Sequence, residues 1–311
     1  MRSHRFTAQV IVLIACLIYV YVSPGAERPF RLVSFESPSV ERRIAVTIIL
    51  PESYEDSVSR YPVLYLLHGR GGDENYWLDM GVAQYASQYE MIVVMPSMMP
   101  SWYVNWVQSR GGQKNDWADC VTRDLIGYVD SHYRTVVSRE GRAISGMSMG
   151  GYGALTLGFL NPDLFCSVSS IAGGLRFIDR LRDHLRGAGP DPLYPDKVRE
   201  SKREMYDRTP LGRMVTTLEE CDAIDPFKLV LKVPRNRLPD IRIDCGVRDS
   251  LLEYSLRFAR LLMEHKITFT FGQAPGAHTA DYGARTVRDT MAHQYGVMIK
   301  QLSGRDLLPI K

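Results

Sequence analysis

Ser148 sits in the pentapeptide Gly146-Met147-Ser148-Met149-Gly150, the pattern Gly-x-Ser-x-Gly, with Gly151 directly behind it. A serine hydroxyl is a weak nucleophile. It attacks an acyl carbon only when a base takes its proton and a third group orients that base. His278 in "QAPGAHTADYG" and Asp249 in "CGVRDSLLE" supply those two residue types further along the chain. At ordinary glycine and serine frequencies a chain of this length shows the pentapeptide by chance about one time in ten. The elements around it therefore decide between a nucleophile and a glycine-rich turn.

"GRAISGM" reads as a strand running into the serine, and "GGYGALTLGFL" as a small-residue helix leaving it, ended by Asn161-Pro162. A serine between strand and helix is the nucleophile elbow of an α/β-hydrolase. Gly146 and Gly150 fit because a side chain there would meet the neighbouring strand and helix. The helix N-terminus favours negative charge on the attacking oxygen and on the intermediate. The chain order in that fold is Ser, acid, His. His278 follows the last expected strand and precedes the closing helix, where the base belongs. His293 lies inside a helical pattern, His265 ends a helix and His184 falls in a charged insertion. Asp249 follows the strand "IRIDC". Its alternatives are an N-cap role for the helix behind it and a different acid, Asp244, inside the strand. Two backbone N–H groups would hold the oxyanion, those of Met149 and, from the turn "LLHGRGG", Arg70, with His68 and Gly69 allowing the close turn.

These positions need a sheet to bring them together. "RIAVTIIL", "YPVLYLL", "MIVVMP", "GRAISGM", "CSVSSIAG", "DIRIDCG" and "ITFTFG" read as strands. "WADCVTRDLIGYVDSHY", "LLEYSLRFARLLMEHK" and a final segment from about Gly283 read as helices. The alternation predicts an α/β fold, a mostly parallel central sheet with helices on both faces. Residues 175–238 break the alternation with many charges, several prolines and no clear strand, and predict a cap-like insertion, either a lid or a solvated excursion. No internal repeat is visible.

Apolar residues make up 45% of the 311-residue chain and charged residues 23%, as in packed globular proteins. Residues 1–26 are expected to be a signal peptide or a short membrane anchor: a basic start, an apolar run from about Ala8 to Val22, then small residues. That implies an exported or membrane-anchored protein. "LIAC" also resembles a lipoprotein cleavage site, although the apolar run continues past Cys16. Without Arg2 and Arg5 the net charge falls from +3 to +1, with no basic stripe, which argues against nucleic acid as a partner. Residues 27–40 read as a Pro/Ser-rich linker and 41–311 as the catalytic domain. Cys120, Cys166, Cys221 and Cys245 lack paired Cys-x-x-Cys spacing, so zinc is not suggested. They read as buried apolar residues, with one or two disulfides an option in an exported chain. The chemistry calls for no metal or other cofactor.

"LYLLHGRGG", "MPSMMPSWYVNW", "ISGMSMGGYGALTLGFLNPDLF", "IDPFKL", "IDCGVRDSLLE" and "APGAHTADYG" together resemble the esterase D-like branch of the α/β-hydrolases. That branch includes S-formylglutathione hydrolases, tributyrin and acetyl esterases, feruloyl and acetyl-xylan esterases, and mycolyltransferases. The resemblance spans about residues 40–300. It implies Ser148, Asp249 and His278 as catalytic triad and Arg70 and Met149 as oxyanion donors. Departures are Ala280 and Asp281 where relatives often carry an aromatic, His68 where mycolyltransferases usually have aspartate, and a poorly matching 175–238. The expected function is serine-dependent hydrolysis of short-chain or carbohydrate-linked esters outside the cytoplasm. The alternatives are acyl transfer to a sugar or lipid, and a non-catalytic binding protein on the same fold. The substrate is a small-molecule, lipid or carbohydrate ester. Trp102, Tyr103 and Trp106 are candidates to face it, or else they fill the core beneath their loop.

Overall fold

In the run Val63–Leu67 every side chain is buried. Alternate residues go to opposite sides: Val63, Tyr65 and Leu67 enter one core, Leu64 and Leu66 another. A strand buried on both faces requires helices above and below it, and the computed structural model, which describes residues 30–303, has that arrangement. The strands are β1 (Arg31–Ser37), β2 (Arg42–Ile49), β3 (Val63–Leu67), β4 (Ile92–Pro96), β5 (Gln108–Ser109), β6 (Arg142–Met147), β7 (Ser167–Ile171), β8 (Gly212–Arg213), β9 (Asp240–Gly246) and β10 (Thr270–Ala274). Eight form one sheet in the order β1-β2-β4-β3-β6-β7-β9-β10, while β5 and β8 make a separate two-residue ribbon. From β4 to β10 the pairings are parallel, and β1 and β2 run antiparallel at one edge.

The helices are α1 (Val82–Ala86), α2 (Trp117–Asp119), α3 (Ile126–His132), α4 (Met149–Leu160), α5 (Arg176–Leu185), α6 (Arg203–Asp207), α7 (Leu218–Ala223), α8 (Pro226–Lys232), α9 (Leu252–Glu264) and α10 (Ala280–Ser303). One core takes Trp117 of α2, Val129 of α3, Leu155 of α4 and Phe258 of α9, and the other takes Val82 of α1 and Met291 of α10. Crossovers of this kind leave loops at the carboxyl ends of the parallel strands, where sites of α/β folds are built. The single helix expected over 117–133 is interrupted by a π-helical stretch, Cys120–Leu125, between α2 and α3.

One expectation needs correction, and one open alternative closes. The linker read over 27–40 contains β1, which pairs with β2 along its whole length and buries Phe35 and Ser37. The segment 175–238 is not a structureless excursion. It carries α5 to α8, and Arg182 of α5 ties it together by donating to Asp222 at 2.7 Å and to Asp225 at 2.5 Å. The hydroxyl of Tyr152 on α4 donates to the Ile224 carbonyl at 2.7 Å, fastening the segment to the body. Cys120, Cys166, Cys221 and Cys245 are all free and buried. The signal or anchor expected over residues 1–26 lies outside the described residues. Among the described residues no helix is long and apolar enough to cross a membrane.

Candidate active site

The end of β6 forces Ser148 into a conformation that serine rarely adopts, φ 58° and ψ −115°. A positive φ on a non-glycine residue costs of order 1–3 kcal/mol and persists only when the surroundings impose it. They do so here. The Ser148 N–H donates to the Ile171 carbonyl of β7 at 2.9 Å, and its carbonyl accepts from Tyr152 at 3.0 Å and Gly174 at 2.7 Å. A Cβ on Gly150 would stand 2.2 Å from the Leu67 carbonyl, and one on Gly146 would stand 2.5 Å from Gly150. The turn closes this tightly only with glycine at both positions. It leaves the serine hydroxyl at the carboxyl edge of the sheet and the Met149 N–H at the first turn of α4.

The loop between β10 and α10 brings His278 to that hydroxyl. His278 Nε2 and Ser148 Oγ are 2.9 Å apart, and His278 Nδ1 lies 2.9 Å from Asp249 Oδ2. Because the carboxylate can only accept, Nδ1 carries the proton and Nε2 is left as the acceptor facing the serine. Asp249 comes from the loop after β9. Its other oxygen, Oδ1, accepts the Leu251 N–H at 2.8 Å, so the carboxylate is held at both ends. It is not the N-cap of α9, whose cap position is Leu251. The Asp249 side chain is fully buried while that of His278 is 34% exposed. The acid is dry and the imidazole is open to a substrate. Asp244, the other candidate acid, is taken up by Arg242 through two bonds of 2.7 and 3.1 Å. Burial raises its pKa above the ordinary carboxylate range, against the pull of Arg242.

His68, expected only to allow a close turn, pins the loop that carries Arg70. Its Nε2 accepts the Met98 N–H at 2.8 Å and its Nδ1 lies 2.8 Å from the Gly69 carbonyl. This ring is fully buried, and burial lowers its pKa to about 4, so it is neutral and carries its proton on Nδ1. The Tyr103 hydroxyl donates to the His68 carbonyl at 2.9 Å. The adjoining Gly69 was the signal in the sequence, but nothing there pointed to Met98 or Tyr103 as partners.

The aromatic trio is a correction. Trp102, Tyr103 and Trp106 are all buried in the core, so they do not form an open substrate surface. Trp102 stacks on Phe177 of α5 with ring centroids 3.5 Å apart, and the Trp106 indole donates to the Ser101 carbonyl at 3.0 Å. Trp102 and Tyr103 hold φ of 59° and 58°, which turns both rings inward beneath the elbow. They support the site from below.

A family model described as "Putative esterase" matches residues 37–278. The chain belongs to this esterase family. Two Mycobacterium tuberculosis proteins, Esterase MT1326 and Esterase Rv1288, are each 34% identical over 142 residues, which is 45% of this chain and 31% of theirs. The match thus spans under a third of those curated relatives. An acetyl esterase of Caldicellulosiruptor saccharolyticus is 24% identical over 258 residues, 80% of this chain and 92% of its own. Among solved structures, FphF, a fluorophosphonate-binding serine hydrolase of Staphylococcus aureus, superposes with a TM-score of 0.69 at 22% identity, covering 86% of this chain and 98% of that one. A ferulic acid esterase gives 0.65 at 21% identity, with the same coverage. Likeness at that identity establishes the α/β-hydrolase fold.

Proposed function

We propose that this member of the esterase family hydrolyses carboxylic esters through an acyl-enzyme on Ser148. The observation that carries the reading is the unbroken hydrogen-bond chain from Ser148 through His278 to Asp249, with 2.9 Å at each link. That is the reach a general base needs to take the hydroxyl proton. In this mechanism His278 removes the Ser148 proton as Oγ attacks the ester carbonyl, and Asp249 stabilises the imidazolium. The N–H groups of Met149 and Arg70 hold the oxyanion. His278 then protonates the leaving alcohol. A water, deprotonated by the same imidazole, releases the acid and restores the serine.

Substrates in this reading are short-chain or carbohydrate-linked esters. The acetyl esterase that the chain resembles over most of its length is named for a short acyl group. The layout of residues 1–26 supports action outside the cytoplasm. The test is cleavage of nitrophenyl esters from acetyl to palmitoyl by the native chain beside Ser148→Ala. Serine-dependent turnover favouring short acyl groups is the expected result. A serine-dependent burst that stalls would turn the reading toward acyl transfer. Absence of turnover in the native chain would overturn it.

A further inference from the structure

The segment between α5 and α6 and the loop after β3 meet at one side chain. Arg70 follows Gly69 at the end of β3, and its guanidinium runs into the stretch between α5 and α6. Nη1 donates to the Pro192 carbonyl at 3.4 Å and Nη2 to the Leu193 carbonyl at 3.3 Å. Its Cζ lies 4.2 Å from the centroid of the Tyr206 ring on α6. These partners are two carbonyls and the face and hydroxyl of Tyr206, none of them a carboxylate, and Nε is buried without a partner. The next residue, Gly71, has φ +88° and lies directly under Met205, whose sulfur is 3.1 Å from where a Cβ would stand. Two consecutive residues of the loop are therefore gripped by two consecutive residues of α6.

A partly buried guanidinium without a carboxylate partner depends on these carbonyls and on the Tyr206 side chain for its contacts. Losing Tyr206 or the 192–193 carbonyls strips Arg70 of the contacts that tie its loop to the stretch. Stretch and loop thus move as one unit. Resting on the esterase reading above, we propose that the Arg70 side chain is a positioning residue. Through Pro192, Leu193 and Tyr206 it fixes the loop whose own N–H faces the oxyanion, so the 190–207 stretch governs kcat. Every substitution at Arg70 except proline keeps the backbone N–H, which lets the side chain be tested apart from the donor.

The experiment measures kcat and KM on nitrophenyl acetate with the full chain. The variants are Arg70→Ala, Arg70→Lys, Tyr206→Leu and Tyr206→Phe, with active sites counted by fluorophosphonate titration and thermal midpoints recorded. A loop misplaced by a fraction of an ångström costs part of an oxyanion contact, so Arg70→Ala lowers kcat about 10- to 100-fold with KM nearly unchanged. Tyr206→Leu shows a smaller loss of the same kind, and Tyr206→Phe, which keeps the ring face and loses only the hydroxyl, falls between Tyr206→Leu and native. Arg70→Lys recovers part of the rate. The double variant Arg70→Ala with Tyr206→Leu is no slower than Arg70→Ala alone, because both break one unit. If Arg70→Ala does not fold, the contrast between Leu and Phe at Tyr206 carries the test. Unchanged kcat per active site in Arg70→Ala or in Tyr206→Leu, an effect confined to KM, or full additivity would overturn the proposal. No turnover by the native chain would instead remove the esterase reading, and this inference with it.

Discussion

Among the described residues, two constellations of serine, histidine and aspartate lie at opposite ends of the parallel strands. At the carboxyl end His278 stands between Ser148 and Asp249, 2.9 Å from each. At the amino end Asp240 and Ser167 open the paired strands β9 and β7. There Asp240 is the middle member: His293 Nε2 donates to Oδ1 at 2.6 Å and the Ser167 hydroxyl donates to the same oxygen at 3.3 Å. Ser167 faces a carboxylate and not an imidazole. The burial differs too, since the Asp249 side chain is fully buried while that of Asp240 is 36% exposed. The difference teaches that residue types do not make a nucleophile. The two sites differ in connectivity, and of the two serines only Ser148 sits in a strained elbow.

The comparison can be broken at several points. Ser148→Ala should lower ester turnover about 10⁶-fold, the scale set by removing the nucleophile in a serine protease, with the thermal midpoint nearly unchanged. Steady-state assay beside calorimetry checks both. Asp249→Asn leaves the shape intact but can donate an N–H to Nδ1, which favours the tautomer with the proton on the nitrogen facing the serine. A loss of about 10⁴-fold in kcat is expected, and a loss below tenfold would remove Asp249 from the role given to it here.

Gly150→Ala attacks the elbow itself. A Cβ 2.2 Å from the Leu67 carbonyl must push β3 and α4 apart, at about 3 kcal/mol of stability, read by denaturant unfolding. Activity should fall with it, because the Met149 N–H moves. His68 offers a pH test. Its pKa drops from 6.5 to about 4 on burial, so between those values the unfolded chain binds the proton and the native one does not. Stability then falls as pH is lowered from about 6.5 to about 4 and is flat in this respect above that window. His68→Asn should flatten that slope. Smallest is Asp240→Asn at the second constellation, which should leave turnover within about twofold and change stability by about 1 kcal/mol or less.

Much of this arrangement is readable from the chain. Five-residue apolar runs forecast the central strands, and glycines on both sides of Ser148 forecast a turn too tight for side chains. The Ser, Asp, His order pointed to the three residues that the fold brings into one hydrogen-bonded chain. What escaped depends on contacts distant in sequence. Strand β1 lies at the sheet edge, and Phe35 is its only fully buried apolar residue, too little alternation to stand out beside prolines and serines. The trio Trp102, Tyr103 and Trp106 resembles a ligand surface until its backbone twist is known, because positive φ at two bulky residues leaves no trace in composition. Helices α5 to α8 are short and heavily charged, and although α5 buries Phe177, Ile178 and Leu181 at helical spacing, the prolines and charges around that stripe hid it, so the stretch read as irregular.

The most direct test of the central claim is covalent labelling with a fluorophosphonate followed by peptide mass spectrometry. A single adduct on Ser148 is predicted, absent in Ser148→Ala, formed far more slowly in His278→Ala, and unaffected by Asp240→Asn. An adduct on Ser167 or any other residue, or none on the native chain, would contradict the account.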